Sequence, residues 1–387
     1  MNKINLCDST CTQCYACKTV CPKDCIEFID YEAGFKIPSI DRSKCIECGA
    51  CMKACHVISL KADLKLPLKT YACWTKNKDD RSNSSSGGAF SVLARRILAN
   101  GGVVYGATMT SDLTIRHIAI TKEEDLIAIQ GSKYVQSNIE GIYSDVKLRL
   151  GKGISVLFSG TPCQVAGLKT FLKRDYENLL TCDVVCHGVP SQTAFNIYID
   201  KIGIRDKSNN VYFRFTEGWG FRLSRQAVAP TLGGGFRKKL IPQFKAYYMK
   251  AFTKGLMFGE ACYDCHYAHP KRISDFTLAD YWGLGEHIPF NYPTQRGVSC
   301  MLVNTQHGLN FINSCEDLML IERPLEEAIE GNHNLSFVSD RPRGRDTYYE
   351  DSISLDIKEL STKYGLKPTL RDYLRIIKQD LFLIRNK

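Results

Sequence analysis

The hydrophobic residues of this chain repeat with two periods, one helical and one extended, that alternate through its middle part. Residues 89–99 place apolar side chains at helical spacing, and Asn100-Gly101-Gly102 follows as a stop signal. Further helices are predicted to end at Leu172 and to span residues 191–202. Three short apolar runs predict buried strands, at residues 103–106, 154–158 and 179–185. This alternation favours an α/β core with some parallel strand pairing.

The patterns on either side of this core are shorter and less regular. Residues 26–37 hold two apolar runs around Gly34, which predicts a β-hairpin. The later part of the chain predicts strands at residues 211–215 and 276–279, a glycine loop at 233–235, and helices over 242–257 and 363–387.

Two cysteine runs with identical spacing stand near the start of the chain. They read Cys11-x2-Cys14-x2-Cys17-x3-Cys21-Pro22 and Cys45-x2-Cys48-x2-Cys51-x3-Cys55. This duplicated spacing is typical of a bacterial-type ferredoxin unit with two [4Fe-4S] clusters, in which the fourth ligand of each cluster comes from the other run. The sets are site I, with Cys11, Cys14, Cys17 and Cys55, and site II, with Cys21, Cys45, Cys48 and Cys51.

These patterns divide the chain into four predicted parts. A dicluster ferredoxin-like module spans residues 1–60, and residues 61–70 form a linker punctuated by Pro67. A large α/β domain spans residues 71–345, and a basic helical tail spans residues 346–387. The expected fold class is therefore mixed α/β (α+β). The tail is predicted to dock on its own domain, with a partner or a membrane surface as the alternative contact.

Composition excludes several classes of protein. The chain has 18 cysteines and no signal-peptide pattern at its start, so we expect a reducing, cytoplasmic compartment and metal-bound thiolates instead of disulfides. No apolar run approaches about 18 residues, which predicts no transmembrane helix. The formal net charge of +10 is lowered by about 2 for each oxidised cluster with its thiolates. Because the basic residues are also scattered, we expect no nucleic-acid binding.

Two polar segments of the large domain suit a cofactor phosphate. Ser84-Ser85-Ser86-Gly87-Gly88 precedes the helix at 89–99, and hydroxyl groups, glycine backbone and a helix N-terminus together bind anions. In Gly131-Ser132-Lys133-Tyr134-Val135-Gln136-Ser137, the lysine can neutralise a phosphate or a reduced ring and the tyrosine can stack on one. The candidate cofactor-binding residues are Ser85, Ser86, Gly87, Gly88 and Lys133. A plain serine N-cap and a surface loop are the alternatives.

Four further cysteines could form one more thiolate site. They are Cys163 in Gly160-Thr161-Pro162-Cys163-Gln164, Cys186 in Cys186-His187-Gly188-Val189-Pro190, and the pair Cys262-x2-Cys265, which together we call site III. Cys163 is predicted at a helix N-terminus, which lowers a thiol pKa and suits a metal ligand or nucleophile. Structural buried cysteines, and a zinc site of Cys262, Cys265, His266 and His269, are alternatives.

Two other metal motifs are disfavoured. Cys262-x2-Cys265-His266 fits the attachment pattern of c-type haem, but haem attachment normally requires export. Cys7-x3-Cys11-x2-Cys14 has the spacing of a radical S-adenosylmethionine cluster, but its last two cysteines belong to a complete ferredoxin run. The remaining cysteines are predicted to be packed thiols: Cys7, Cys25, Cys73, Cys182, Cys300 and Cys315.

Taken in order, these motifs resemble those of a known family. Together with Ala279-Asp280-Tyr281-Trp282-Gly283, they resemble the β subunit of the deazaflavin-coenzyme (F420) hydrogenase and dehydrogenase family, over the chain as far as about Arg345. The chain looks closest to the bacterial branch that carries a dicluster ferredoxin domain and is associated with surface polysaccharides. One departure is His56 after Cys55, where the usual run has proline, so we expect ligation to survive with a less rigid loop.

The resemblance implies an iron-sulfur flavoprotein, with FAD in the large domain and a third [4Fe-4S] cluster at site III. We therefore expect an oxidoreductase that passes electrons between clusters and a flavin, which exchanges a hydride with a small-molecule substrate or coenzyme. A redox protein or a reduced coenzyme would donate the electrons. His187 and Asp280 are candidates for proton handling, with a hydrogen-bonded loop histidine and a turn aspartate as alternatives. A non-catalytic electron-transfer subunit and a zinc-stabilised scaffold are the competing functions.

Overall fold

The structure is a computed structural model that describes residues 6–59, 64–204, 209–215, 218–225, 237–242 and 246–370. The predicted glycine loop at 233–235 lies outside these residues, as does most of the helix predicted over 363–387. The elements between residues 209 and 242 are described by their strand pairing.

The N-terminal module is built from two short helices and one hairpin. Helices α1 (Ala16–Val20) and α2 (Ala50–Ala54) each begin inside a cysteine run. Strands β1 (Ile26–Asp30) and β2 (Lys36–Ile40) pair antiparallel across a 3-10 turn at Glu32–Gly34. The predicted hairpin is therefore confirmed, and the repeated cysteine spacing is matched by repeated helices.

An eight-stranded mixed sheet forms the centre of the large domain. Its strands are β3 (Lys69–Thr75), β4 (Val103–Met109), β5 (Ile115–Ile120), β6 (Val156–Ser159), β7 (Leu179–Val184), β11 (Phe276–Asp280), β12 (Ser299–Val303) and β13 (Leu318–Glu322). They lie in the order β13-β3-β12-β11-β7-β6-β4-β5. The four central strands β11, β7, β6 and β4 are parallel, whereas the outer strands pair antiparallel.

A second, three-stranded antiparallel sheet follows in the chain. Its strands are β8 (Asn209–Phe215), β9 (Gly218–Arg225) and β10 (Arg237–Pro242), in the order β10-β9-β8. The strand predicted at 211–215 is confirmed as β8. The helix predicted over 242–257 is wrong at its start, because Pro242 ends a strand and the helix begins at Tyr247.

The large domain also contains a series of helices. They are α3 (Lys78–Asn83), α4 (Ala89–Ala99), α5 (Leu126–Ile129), α6 (Ile142–Gly151), α7 (Pro162–Leu172), α8 (Gln192–Lys201), α9 (Tyr247–Thr253), α10 (Glu260–Tyr263), α11 (Gln306–Ile312), α12 (Leu325–Gly331), α13 (Arg345–Ser354) and α14 (Ile357–Lys363). Two more 3-10 turns occur at Glu123–Asp125 and His333–Leu335. The predicted helix at 89–99 is confirmed residue for residue as α4.

Alternate residues of the central strands supply two separate cores. Val104 and Leu157 face one core, which includes Leu93 of α4, whereas Tyr105 and Phe158 face the other. Strands buried on both faces by helices are typical of parallel α/β sheets. The mixed α/β fold class is therefore confirmed.

The first module shares one of these cores with the large domain. Cys14, Tyr15 and Ala54 belong to the same buried cluster as Val165 and Leu168 of α7. The module is thus packed directly on the helix that follows β6, without a solvent layer between them.

The described part of the predicted tail also packs on the large domain. Tyr348 of α13, Leu360 of α14 and Leu366 are buried in one core with Phe195 and Tyr248. Residues 364–369 are not helical, so the helix predicted from residue 363 is wrong in this part. None of the helices in the described part of the chain has the length and hydropathy that crossing a bilayer requires.

One buried ion pair yields a stability prediction. Arg272 and Asp183 form a salt bridge of 3.0 Å with side chains 1% and 0% exposed, and removing one partner of such a pair leaves a buried, unpaired charge. We expect Arg272→Met to lower the free energy of unfolding by about 3–5 kcal/mol, measured by denaturant unfolding under anaerobic conditions.

The matched control is the exposed pair of Lys69 and Glu322, which is 2.6 Å long. We expect Lys69→Met to change the free energy of unfolding by less than about 1 kcal/mol. Equal effects of the two substitutions would contradict the buried-charge account.

Candidate iron-sulfur and cofactor site

A cavity of about 300 Å³ opens at the carboxyl ends of the central parallel strands. It is lined by Ser159 at the end of β6, by Val184 and Cys186 at and beyond the end of β7, and by Asp280 at the end of β11. In open α/β sheets, ligands bind beyond the carboxyl ends of the strands because the loops there converge. The volume also lies within the range of small-molecule sites.

The serine-glycine loop predicted to bind a cofactor borders this cavity. Ser85, Ser86 and Gly88 line it, together with the first residues of α4. Gly88 adopts φ +81° at the N-cap of α4, a conformation that favours glycine. The N-terminus of α4 therefore borders the cavity, and a helix N-terminus favours an anion.

Ser85, Ser86 and Gly87 make different hydrogen bonds. The Ser85 hydroxyl accepts a hydrogen bond of 2.8 Å from the Ser132 amide, which leaves it a hydrogen to donate. The Ser86 hydroxyl donates to the Val298 carbonyl at 3.0 Å. The Gly87 amide donates to Ser299 Oγ at 3.0 Å, and Gly87 is not among the cavity-lining residues. Gly87 therefore joins the loop to the sheet, and its predicted cofactor contact stays a prediction.

Lys133 brings a half-buried cation to the cavity wall. Its Nζ donates to the Gln130 carbonyl at 2.8 Å and to the Ala128 carbonyl at 3.4 Å. Burial lowers the pKa of Lys133 to about 7. The two carbonyl groups do not offset this effect because neither carries a full negative charge. An anion in the cavity would restore the charged form, so Lys133 is suited to bind one. Tyr134 follows it and also lines the cavity.

His117 is a cavity residue that the sequence did not single out. Its side chain is 2% exposed, with Nδ1 2.8 Å from Ser137 Oγ and Nε2 2.9 Å from the Ser159 carbonyl. A carbonyl can only accept, so Nε2 carries the hydrogen and Nδ1 accepts from the serine. His117 thus fixes the end of β6 to the segment after Lys133. A lone histidine in a strand gives no sequence signal for this role.

His187 and Asp280, the two candidates for proton handling, lie on the same cavity. His187 is exposed and Asp280 is half-buried. Burial lowers the pKa of His187, and His333 adds to this effect, whereas the Asp280 carboxylate acts in the opposite direction. Trp282, another cavity residue that sequence reasoning missed, is 47% exposed. His187 and Asp280 are therefore placed where a proton could pass between solvent and a molecule bound in the cavity.

Site III is assembled from three separated segments of the chain. Cys186 interacts electrostatically with Cys262, Cys163 and Cys265, and Cys262 also interacts with Cys163 and Cys265. Cys163 lies in the first turn of α7, and the Cys262–Cys265 segment follows α9. Cys186 also lines the cavity, so site III borders the candidate cofactor site.

The surroundings of site III suit iron-bound thiolates. Burial raises the pKa of Cys163 and of Cys262 to about 12, while backbone amides, of Gln164 and of Val189 respectively, act in the opposite direction. Bound iron would displace the thiol protons, and N–H groups directed at sulfur are typical of cluster sites. The donor set therefore fits a [4Fe-4S] cluster.

The zinc alternative receives less support. His266 and His269 are exposed, and His269 Nδ1 accepts a hydrogen bond of 2.9 Å from the Lys271 amide. Among the described residues, no group of three or more His, Cys, Asp or Glu side chains is arranged around a single metal ion. In a [4Fe-4S] cluster each thiolate binds a different iron atom, so its sulfurs need not converge on one point.

A buried ion pair holds the segments of site III together. Arg272 donates to the Asp183 carboxylate at 3.0 Å, to the Val184 carbonyl at 3.2 Å and to the Tyr267 carbonyl at 2.7 Å. Asp183 and Val184 lead to Cys186, whereas Tyr267 follows Cys265. Ser274 Oγ also donates a hydrogen bond of 2.8 Å to the Asp183 carboxylate of this ion pair.

The structure also brings together the predicted ligands of sites I and II. In site I, Cys14, Cys17 and Cys55 interact electrostatically with one another, and Cys11 joins them through Cys7. In site II, one small cavity is lined by all four predicted ligands, Cys21, Cys45, Cys48 and Cys51.

The six unassigned cysteines fall into two groups. Cys7 Sγ lies 3.8 Å from Cys55 Sγ, and Cys25 Sγ lies 3.4 Å from Cys21 Sγ, so each borders a predicted cluster ligand. The other four are buried in the large domain: Cys73, Cys182, Cys300 and Cys315.

Comparison with known families covers most of the chain. Two stretches match the family described as coenzyme F420 hydrogenase/dehydrogenase, beta subunit: residues 70–142 match its N-terminal part, and residues 154–327 match its C-terminal part. Residues 10–58 match the 4Fe-4S dicluster domain.

Two individual proteins are similar to parts of the chain. NADH-quinone oxidoreductase subunit I 2 of Geobacter metallireducens (strain ATCC 53774 / DSM 7210 / GS-15) is 35% identical over 74 residues, which are 18% of this chain and 56% of that protein. The chain thus spans about half the length of this relative. A chain of the F420-reducing [NiFe] hydrogenase complex from Methanosarcina barkeri aligns with a TM-score of 0.46 and 14% identity, over 76% of this chain and 92% of that one.

The burial of His117 predicts a pH dependence of stability. Burial lowers the pKa of His117 from 6.5 to about 4. The hydrogen bond to the Ser159 carbonyl opposes this effect, and the Lys133 charge adds to it. The unfolded chain therefore binds the proton first as the pH falls. We expect His117 to cost about 3 kcal/mol of folding free energy between pH 6.5 and pH 4.

The measurement compares unfolding free energies at pH 7 and pH 4 for the unaltered chain and His117→Gln. Glutamine retains hydrogen-bonding groups but does not titrate, so the difference between the two pH values should shrink. An unchanged pH dependence in His117→Gln would contradict the prediction.

Proposed function

Since this chain belongs to the coenzyme F420 hydrogenase/dehydrogenase beta-subunit family, we propose that it is an iron-sulfur flavoprotein oxidoreductase. Its dicluster domain makes it an iron-sulfur redox protein. A flavin held in the cavity would supply the exchange between single electrons and a hydride of an organic substrate or coenzyme. The flavin is FAD in this proposal, and site III holds a third [4Fe-4S] cluster.

One observation carries the proposal. Five motifs that lie far apart in the sequence line a single cavity: the serine-glycine loop, the segment of Lys133, the start of α7, the Cys186-His187 segment and the end of β11. Because Cys186 belongs both to this lining and to site III, an electron carrier and an organic cofactor would be neighbours. A void left by imperfect side-chain packing would not require these polar groups, whereas a ligand-binding cavity does.

The residues of the chain divide the work of cofactor binding. The N-terminus of α4 and the Ser85 hydroxyl would bind phosphate oxygens, and Lys133 would balance their charge. His117 holds Ser159 in place through its hydrogen bond and stays neutral above pH 5. The bound flavin would supply the conversion between single electrons and hydride.

His187 and Asp280 would handle the accompanying proton. Asp280 stabilises the protonated form of His187, and both line the cavity. An exposed imidazole beside a carboxylate can pass a proton between solvent and a bound molecule.

The substrate and partners are proposed from the resemblance alone. A small molecule involved in surface-polysaccharide formation is the proposed substrate, and a redox protein or reduced coenzyme is the proposed donor, in the cytoplasm. Contact of the basic tail with a membrane surface belongs to the same proposal. The second candidate function, an electron-transfer subunit without its own turnover, is favoured by the exposed position of Cys48 in site II.

The first test counts cofactors. We expect the chain purified without oxygen to contain about 12 iron atoms and one flavin. Cys163→Ser should lose about four iron atoms because one thiolate of site III is removed. Iron, acid-labile sulfide, zinc and flavin per chain are measured together.

The control for this test is Cys315→Ser, a buried cysteine outside the three sites, which should keep all iron. About eight iron atoms with no flavin would restrict the chain to its dicluster module. Zinc at site III would support the scaffold function instead. Flavin present without substrate turnover would favour the electron-transfer subunit.

The second test concerns Lys133. We expect Lys133→Met to weaken flavin binding about tenfold, or about 1.4 kcal/mol, because the cavity loses its cation. The affinity of the flavin-depleted protein for added FAD is measured by fluorescence quenching.

Lys76→Met is the matched control, since the Lys76 ammonium contacts the Glu316 carbonyl away from the cavity. It should bind FAD as the unaltered chain does. Equal affinity in both variants would remove Lys133 from the cofactor site.

A further inference from the structure

We propose that site I is the inner of the two ferredoxin sites, joined to site III across a specific junction of Gly167, Tyr267 and His56, and that site II is the outer one. This inference rests on the proposed function, because it requires a cluster at site III. It adds an order to the electron carriers that the cysteine spacing alone does not give.

Gly167 is where α7 meets site I. A Cβ atom added to Gly167 would lie 2.8 Å from Cys14 Cβ and 2.9 Å from Cys14 Sγ. Contacts this short do not occur between real Cβ atoms, so only glycine allows the helix backbone to approach this ligand. The approach is therefore built into the sequence of α7.

The same face of α7 carries a ligand of site III. Cys163 and Gly167 are four residues apart, so they lie one above the other about 6 Å apart along the helix. Cys163 also interacts electrostatically with Cys14. A single helical turn thus separates a thiol of site III from the contact with site I.

A chain of side-chain contacts closes the junction on its other side. The Tyr267 hydroxyl lies 2.8 Å from His56 Nδ1, and Thr12 Oγ1 lies 2.8 Å from His56 Nε2. Thr12 follows Cys11, His56 follows Cys55, and Tyr267 is two residues beyond Cys265. These two contacts therefore link both ligand segments of site I to one ligand segment of site III. Proline at position 56 would lack both imidazole nitrogens that make these contacts.

Further contacts hold the same surfaces together. Thr170 Oγ1 of α7 donates to the Ala54 carbonyl at 2.7 Å, and Gln136 Nε2 donates to the Thr12 carbonyl at 3.3 Å. Both acceptors belong to the segments of site I. The junction is thus a packed interface with several polar contacts.

Site II shares none of these junction contacts. Within the described part of the chain, the residues that line its cavity all belong to the module. Cys48 is exposed, and Ile46 beside it is 57% exposed. Site II is accordingly the point at which a redox partner exchanges electrons, and site I passes them on to site III.

The test is electron paramagnetic resonance of the reduced full-length protein, with iron counted in the same samples. Neighbouring paramagnetic clusters broaden each other's lines. We expect the site III signal to be broadened by site I in the unaltered chain and in Cys48→Ser, which disrupts site II. In Cys14→Ser, which disrupts site I, this broadening should be lost.

Gly167→Ala tests the junction with all cysteines in place. We expect it to retain the iron of the unaltered chain but to show measurably less broadening, because the added methyl group separates α7 from Cys14 and magnetic coupling falls steeply with distance. Gly151→Ala is the matched control, since a Cβ there meets no atom within 4 Å. It should behave as the unaltered chain does.

The outcomes separate the two proposals. Broadening that survives Cys14→Ser but is lost in Cys48→Ser would reverse the order and overturn the inference alone. Unchanged broadening in Gly167→Ala, with full iron, would overturn the junction. An iron content of about eight per unaltered chain would mean that site III holds no cluster, which overturns the proposed function as well.

Discussion

The buried ion pair between Arg272 and Asp183 is the interaction on which the candidate site depends. Its two charges are removed from water, so they must remain paired and hydrogen-bonded. Arg272 also binds the carbonyls of Val184 and Tyr267. One guanidinium therefore sets the distance between the end of β7, which leads to Cys186, and the segment that carries Cys262 and Cys265.

The parallel strands supply the second constraint. Their carboxyl ends bring together loops that are distant in the sequence, and α4 and α7 begin at the same edge. Two helix N-termini at one cavity favour negative charge, and Lys133 adds to that preference. The cysteines of site III lie beside this cavity because Cys186 follows β7 and lines it. Cofactor cavity and cysteine site are thus consequences of one sheet topology.

Much of this arrangement is predictable from sequence, for local reasons. The cysteine runs and the helix at 89–99 depend on short-range spacing, and both are observed as expected. The helix expected from residue 242 begins at Tyr247, because Pro242 completes a strand whose partner is only defined by tertiary pairing. His117 and the junction residues Gly167 and Tyr267 carry no motif, since their roles arise from neighbours far along the chain. The bond of the Gly87 amide to Ser299 is likewise not visible in the sequence, because a glycine-rich loop does not reveal which glycine contacts the sheet.

The central claim is that the four cysteines of site III hold an iron-sulfur cluster next to a flavin cavity. Anomalous X-ray diffraction at the iron edge, from crystals of the anaerobically purified chain, tests it directly. The account predicts three separate iron positions, one of them among Cys163, Cys186, Cys262 and Cys265, and flavin density in the cavity at the strand ends. Iron confined to the N-terminal module, or zinc scattering at the third position, would contradict it.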